Sequence, residues 1–237
     1  MKKLAMALCV CLLCVFCFSA LAEDRTLTVT GTATVRVNAD RARVMLGVRT
    51  TAEDARKAAE TNAEKMDLVL NALEEAGIPR ENMTTDYYYV SALYDYSSYT
   101  EEERIRGYQV SNTLSVLVED IDRVGAIIDI ALSQGANTCD GVSFQSTGAG
   151  EAYDEALRAA IAEGRRKAAL VAESCGKTLG DLVEISENYG SYRGVSFKSA
   201  YAEEDAGAFT STSITSDGLD FSATVTMTFA FGDGLGE

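Results

Sequence analysis

Hydrophobic and polar positions alternate from residue 27: Leu27, Val29, Ala33, Val35 and Val37 are interleaved with Thr28, Thr30, Thr32 and Thr34. A period of two in β-branched residues predicts a strand with one buried face. Asn38-Ala39-Asp40 supplies a turn, and Val44, Leu46 and Val48 resume the period, so the two strands are expected as a hairpin. The period changes after Thr51. Thr51 and Asp54 have capping-box spacing, and Ala55, Ala59, Met66, Val69, Leu70 and Leu73 recur as one face of a helix over about 52–76. Gly77 and Pro79 end it, because glycine accepts the left-handed cap and proline cannot continue a helix.

Two long strands follow, over about 84–96 and 105–118, with the polar stretch Ser97 to Glu103 as their hairpin tip. Asp120 heads a helix carrying Ile121, Val124, Ile127, Ile128 and Ala131, closed by Gly135. A short strand around Val142 and Phe144 leads to a helix from about Gly150 to Cys175, with Ala156, Leu157, Ala160, Ile161, Ala168 and Val171 as its stripe. Leu182 to Ser186 is a further strand. Residues 190–218 are rich in Gly, Ser, Ala and Thr without a steady period and are expected as a flexible insertion. The last strand is the cleanest, with Leu219, Phe221, Ala223, Val225, Met227, Phe229 and Phe231 on one face. The order β-β-α-β-β-α-β-α-β-β predicts an α+β fold, a largely antiparallel sheet with helices packed on one face.

The segment before residue 27 reads differently. Met1-Lys2-Lys3 is basic, Leu4 to Ala22 carries no charge, and small residues stand at Ala20 and Ala22. This is the pattern of a secretory signal peptide, residues 1–22, cleaved after Ala22. The rival is an uncleaved anchor, since 19 uncharged residues approach the ~20 that span a bilayer, but the A-x-A site favours cleavage. Cleavage removes Cys9, Cys11, Cys14 and Cys17 together with their C-x-x-C spacings, leaving Cys139 and Cys175. It also removes Lys2 and Lys3, so the net charge goes from −15 to −17. Residues 23–237 are then expected as a single domain, secreted or periplasmic, with no membrane insertion after cleavage.

Composition narrows the chemistry. The chain has no histidine, which excludes Ser-His and Cys-His nucleophile pairs and imidazole metal ligands. With 36 acidic against 21 basic residues it lacks the positive field that nucleic acids and anionic membranes require. Neither a cofactor nor a metal site is expected. The acidic clusters Glu101 to Glu103 and Glu203 to Asp205 lack the alternating Asp-x-Asp pattern of a calcium loop.

Leu27-Thr-Val-Thr-Gly31-Thr-Ala-Thr-Val35 runs into Ala39-Asp40-Arg-Ala42-Arg-Val44; then come Ala76-Gly77-Ile78-Pro79 and Gly107-Tyr108-Gln-Val-Ser-Asn112-Thr-Leu114. Gly135-Ala136-Asn137 precedes Val142-Ser-Phe144, and an Ala-rich helix spans Ala156 to Lys177. In order and spacing these segments, over about residues 27–231, resemble the SIMPL domain family. The resemblance implies a secreted or periplasmic α+β protein without agreed catalytic residues, with relatives linked to oxidative-stress defence and some that assemble into rings or channels. Many relatives carry a proline-rich segment before the last strand; residues 190–218 here contain no proline, which puts that segment's role in doubt.

Three patterns compete for function. Tyr87, Tyr88, Tyr89, Tyr94, Tyr96, Tyr99 and Tyr108 place seven of the eleven tyrosines within 22 residues. Consecutive tyrosines put rings on both faces of a strand, so some pack and the surplus is a candidate interface, with a homo-oligomer as the expected partner. Cys139 and Cys175 are either a disulfide pair of an oxidising compartment or two separate thiols. A hydrolase working through carboxylates, or through the S-x-x-K match Ser174 to Lys177, is the alternative; S-x-x-K chemistry wants its serine at a helix start, and this one stands at a helix end. Gly232-Asp-Gly234-Leu-Gly236 looks like a phosphate loop but feeds no helix.

Overall fold

A computed structural model of the chain describes residues 25–95, 104–188, 192–193, 212, 214, 216 and 218–232. The N-terminal segment 1–22, the tip at 97–103 and most of the insertion at 190–218 lie outside them. The elements are β1 (Thr26–Val37), β2 (Arg41–Ala52), α1 (Ala55–Glu75), β3 (Met83–Asp95), β4 (Arg104–Val118), α2 (Val124–Ser133), β5 (Thr138–Gln145), α3 (Ala149–Ser174), β6 (Thr178–Asn188), β7 (Tyr192–Arg193) and β8 (Leu219–Gly232). The expected α+β order is present, with the two-residue β7 added inside the segment read as a loop.

The strands form two antiparallel four-stranded sheets where one was expected. One runs β3-β4-β2-β5; the other runs β1-β8-β6, with β7 also on β8. The predicted β1–β2 hairpin is therefore not formed. β2 is a central strand whose edges are taken by β4 and β5, with Val44 opposite both Val116 and Val142. β1 instead lies on β8, where Thr28 and Thr228 share a hydroxyl hydrogen bond at 3.0 Å and the Phe231 N–H donates to the Arg25 carbonyl at 2.8 Å. Asp40 does not close a hairpin turn: its main-chain N–H donates to the Gln145 carbonyl and its carboxylate accepts from Thr147.

By contact density the chain divides into two units, residues 34–154 with 191–221, and residues up to 33 with 155–190 and 222 onward. In the first, α1 and α2 pack on the β3-β4-β2-β5 sheet, chiefly over β2 and β4. Ala42, Val44, Leu46 and Val48 of β2 meet Met66, Val69 and Leu73 of α1 and Val124, Ile127 and Ile128 of α2 in one buried cluster. α1 is capped by Asp54, which accepts from the N–H groups of Arg56 and Lys57 at 2.9 and 3.1 Å, and not by Thr51, which remains in β2 opposite Gln109. Asp120 caps a one-turn 3-10 helix, Ile121–Arg123, ahead of α2. Part of the expected loop is also tied to this unit: Thr212 donates to Asp129 through its hydroxyl at 2.7 Å, and Ile214 packs against the core.

In the second unit α3 lies on β1 and β8. Its sheet-facing row, Ala156, Ala160, Gly164, Ala168 and Ala172, is buried and made only of small residues. This lets helix and sheet approach to main-chain contact: a Cβ on Gly31 would stand 2.0 Å from the Ala160 carbonyl oxygen. β8 alternates without a break, burying Ala223, Val225, Met227 and Phe229.

Two carboxylates in the first unit link its stability to pH. The hydroxyl and main-chain N–H of Thr147 hold the Asp40 carboxyl below its usual range, and the Arg36 guanidinium, at 2.6 and 2.7 Å, does the same for Asp220. A depressed folded pKa contributes stability above the unfolded value of about 4 and loses it as pH falls through the folded value. The thermal midpoint is expected to fall as pH drops from about 5 towards 2. Asp40→Asn with Asp220→Asn should lower the midpoint at pH 6 and flatten that fall; an unchanged acid slope in the double variant would refute the linkage.

Candidate functional site

β3 is the outer strand of its sheet, hydrogen-bonded only to β4 among the described residues. Its register alternates two kinds of neighbour. Tyr88 and Val90 stand opposite Asn112 and Val110 on the side that α1 covers, whereas Tyr87 and Tyr89 stand opposite Thr113 and Ser111 on the other side. Val110 is fully buried, yet Val90 beside it is 40% exposed, because α1 sits over β2 and β4 and scarcely reaches β3. Tyr87, Tyr88 and Tyr89 are each about half exposed, at 51%, 52% and 51%. The rings of Tyr87 and Tyr89 stack with centroids 6.0 Å apart and planes 24° apart. This offset pair is a preformed aromatic surface that loses little freedom on contact. Tyr94 is 39% exposed further along β3; Tyr96 and Tyr99 lie outside the described residues.

A recess of about 480 Å³ lies where β2, β3 and β4 end, lined by Glu53, Leu93, Tyr94, Arg106 and Gly107 among others. Among the described residues it offers one carboxylate, Glu53, where glycoside hydrolysis needs two. A second recess of about 210 Å³ is bordered by Ile78, Asn82, Asp120 and Arg123; there Asp120 accepts from the Asp122 N–H, and Arg123 donates to the Ala76 carbonyl.

Cys139 on β5 and Cys175 after α3 are both free thiols on exposed residues, one in each unit. Although the residue is exposed, partial desolvation of its sulfur and the neighbouring Asp140 push the Cys139 thiol up, against the Gly141 N–H that favours its thiolate, which makes it a poorer nucleophile. Ser174 stands in the last turn of α3 and donates its hydroxyl to the Leu170 carbonyl at 2.7 Å. Among the described residues no three His, Cys, Asp or Glu side chains group where they could hold a metal ion.

Asn62 is a residue that the hydrophobic pattern does not single out. It is fully buried on α1, and its amide donates to the main-chain carbonyls of Val48 on β2 and Val110 on β4, at 2.8 and 3.4 Å. It fixes the helix against the sheet from which β3 projects.

Residues 27–229 match the family model described as SIMPL, a protein of unknown function (DUF541). The chain belongs to the SIMPL family. Among SIMPL relatives, the 26 kDa periplasmic immunogenic protein of Brucella melitensis is 31% identical over 182 residues, 73% of each chain. Its counterpart in Brucella abortus matches to the same extent. The protein YggE of Escherichia coli strain K12 is 24% identical over 167 residues, 70% of this chain and 67% of its own. Among the described residues of this SIMPL chain no helix is long and apolar enough to cross a membrane.

Proposed function

We propose that this SIMPL protein is exported and acts by binding and assembly, not catalysis, with the tyrosines of β3 as its contact surface. Export is supported by the uncharged run Leu4 to Ala22 with its A-x-A end and by Brucella relatives that are named periplasmic. The observation that carries the contact surface is the half-exposed run Tyr87 to Tyr89 on an outer strand. Large aromatic rings held on a rigid strand supply contact area at low entropic cost, and tyrosine is enriched at interface hot spots. The expected occupant is a second copy of the chain, and the envelope or oxidative-stress role implied by the family would be exercised through such assemblies.

Light scattering on the exported protein tests this. The wild-type chain is expected at more than its monomer mass, and replacing Tyr87, Tyr88 and Tyr89 together by serine should weaken association by at least about thirty-fold, about 2 kcal/mol. Unchanged circular dichroism would show that the fold survives. A wild-type monomer at high concentration would overturn the self-assembly reading.

A further inference from the structure

The second unit carries an outer strand of a different character. β6 pairs with β8 on one side, and among the described residues no strand lies on the other. From Asp181 to Asn188 every residue is exposed. Three of them are apolar within four positions: Leu182 at 37%, Val183 at 62% and Ile185 at 47%. Leu182 and Ile185 stand opposite the buried Phe229 and Met227, so they lie on the sheet face that α3 covers. They are nonetheless open to solvent, on a face where α3 is seated against β1 and β8 through Gly31 and Gly164.

Proteins usually guard such an edge with lysine or proline, and neither occurs between Thr178 and Asn188. Irregular pairing before Glu184 blunts the first part of the strand, while Glu184 to Asn188 pairs with β8 without a shift. Every charge on β6 is negative: Asp181, Glu184 and Glu187. This selects the occupant. In the antiparallel register that sets Val183 of one copy against Ile185 of another, Asp181 meets Glu187 and Glu184 meets itself. Like charges directly opposite are destabilising, so a second β6 is disfavoured, and the chain's formal charge of −15 adds to that repulsion.

We propose that β6 is a docking edge for an extended basic segment of another protein, which adds as a further strand of the sheet. Main-chain hydrogen bonds along Glu184 to Asn188 supply the pairing. β-branched residues of the partner cover Leu182 and Ile185, while its Lys or Arg side chains meet Glu184 on the opposite face.

The test uses the full exported chain and a blocked peptide of about ten residues alternating valine and lysine, with a valine–glutamate peptide as control. The lysine peptide is expected to bind and to shift amide signals within 178–188. Its affinity should weaken about tenfold at high salt, because exposed ion pairs are screened. Glu184→Lys should weaken it at least tenfold; the side chain is exposed, so the fold is retained. The Tyr87 to Tyr89 serine variant should bind the peptide as the parent does, which separates this proposal from the role given to β3. Absence of binding at millimolar peptide, equal binding of the glutamate peptide, or shifts confined to 83–95 would each overturn it.

Discussion

Alanine at position 31 is expected to destabilise the protein by about 3 kcal/mol or more, at the upper end of what overpacking costs. The new Cβ would stand 2.0 Å from the Ala160 carbonyl oxygen and 2.7 Å from the Gly164 nitrogen. Both are main-chain atoms of a helix and cannot rotate away. Relief requires α3 to lift from β1, and its small-residue row Ala156, Ala160, Gly164, Ala168 and Ala172 would then lose contact along its length. Thermal unfolding should show a midpoint about 6–12 °C lower, or a failure to fold. Gly164→Ala gives a milder comparison, since its nearest obstruction is the mobile end of Met227. Gly150→Ala meets nothing within 4 Å and should stabilise α3 by about 0.5–1 kcal/mol. A Gly31→Ala protein melting within about 2 °C of its parent would show that this contact does not hold helix and sheet together.

That contact also marks how far the sequence could be read. Strand positions were legible to within a few residues, because a buried face imposes its period of two locally, as in β8 from Leu219 to Phe231. Pairing is not local. The short link Asn38 to Asp40 looks like a hairpin turn, yet β1 pairs with a strand about 200 residues away in sequence, as Thr28 does with Thr228. What decides this is that β2 buries Ala42, Val44, Leu46 and Val48 under α1 and α2 and has partners on both edges. The cap of α1 follows from the same competition. Thr51 and Asp54 both suit the role, and Thr51 is held in the β2–β4 ladder, which leaves Asp54.

The tyrosine strand was legible as a count and not as a surface. Three consecutive tyrosines must put rings on both faces of a strand, but whether those faces are open depends on the strand's place in the sheet. β3 is open because it is outermost and α1 sits over its neighbours. β6 makes the same point more sharply. Leu182 to Ser186 reads as an ordinary strand, and nothing local shows that Val183 and Ile185 end exposed on an outer strand. Both candidate surfaces are properties of sheet order, which a single sequence encodes only through distant contacts.

Asn62→Asp should be the most damaging change in the first unit, costing about 3 kcal/mol or more near neutral pH. The substitution keeps the shape of the side chain and removes the amide that donates to Val48 and Val110. It also places an ionisable carboxyl where the side chain is fully buried. An ionised carboxylate there would face two carbonyl oxygens with no counter-charge, so the folded protein must hold it protonated, with its pKa raised. The sign of the pH dependence follows. A raised folded pKa means that the unfolded chain releases a proton the folded one keeps, so stability is lost as pH climbs above the unfolded value of about 4. Around pH 4 to 6 the variant should therefore gain stability on acidification, whereas the parent, with Asp40 and Asp220 held low, should not. Chemical denaturation of both proteins across that range reads the difference directly. Parallel pH profiles would mean that position 62 is hydrated and that the α1–sheet contact is not built around a dry amide clamp.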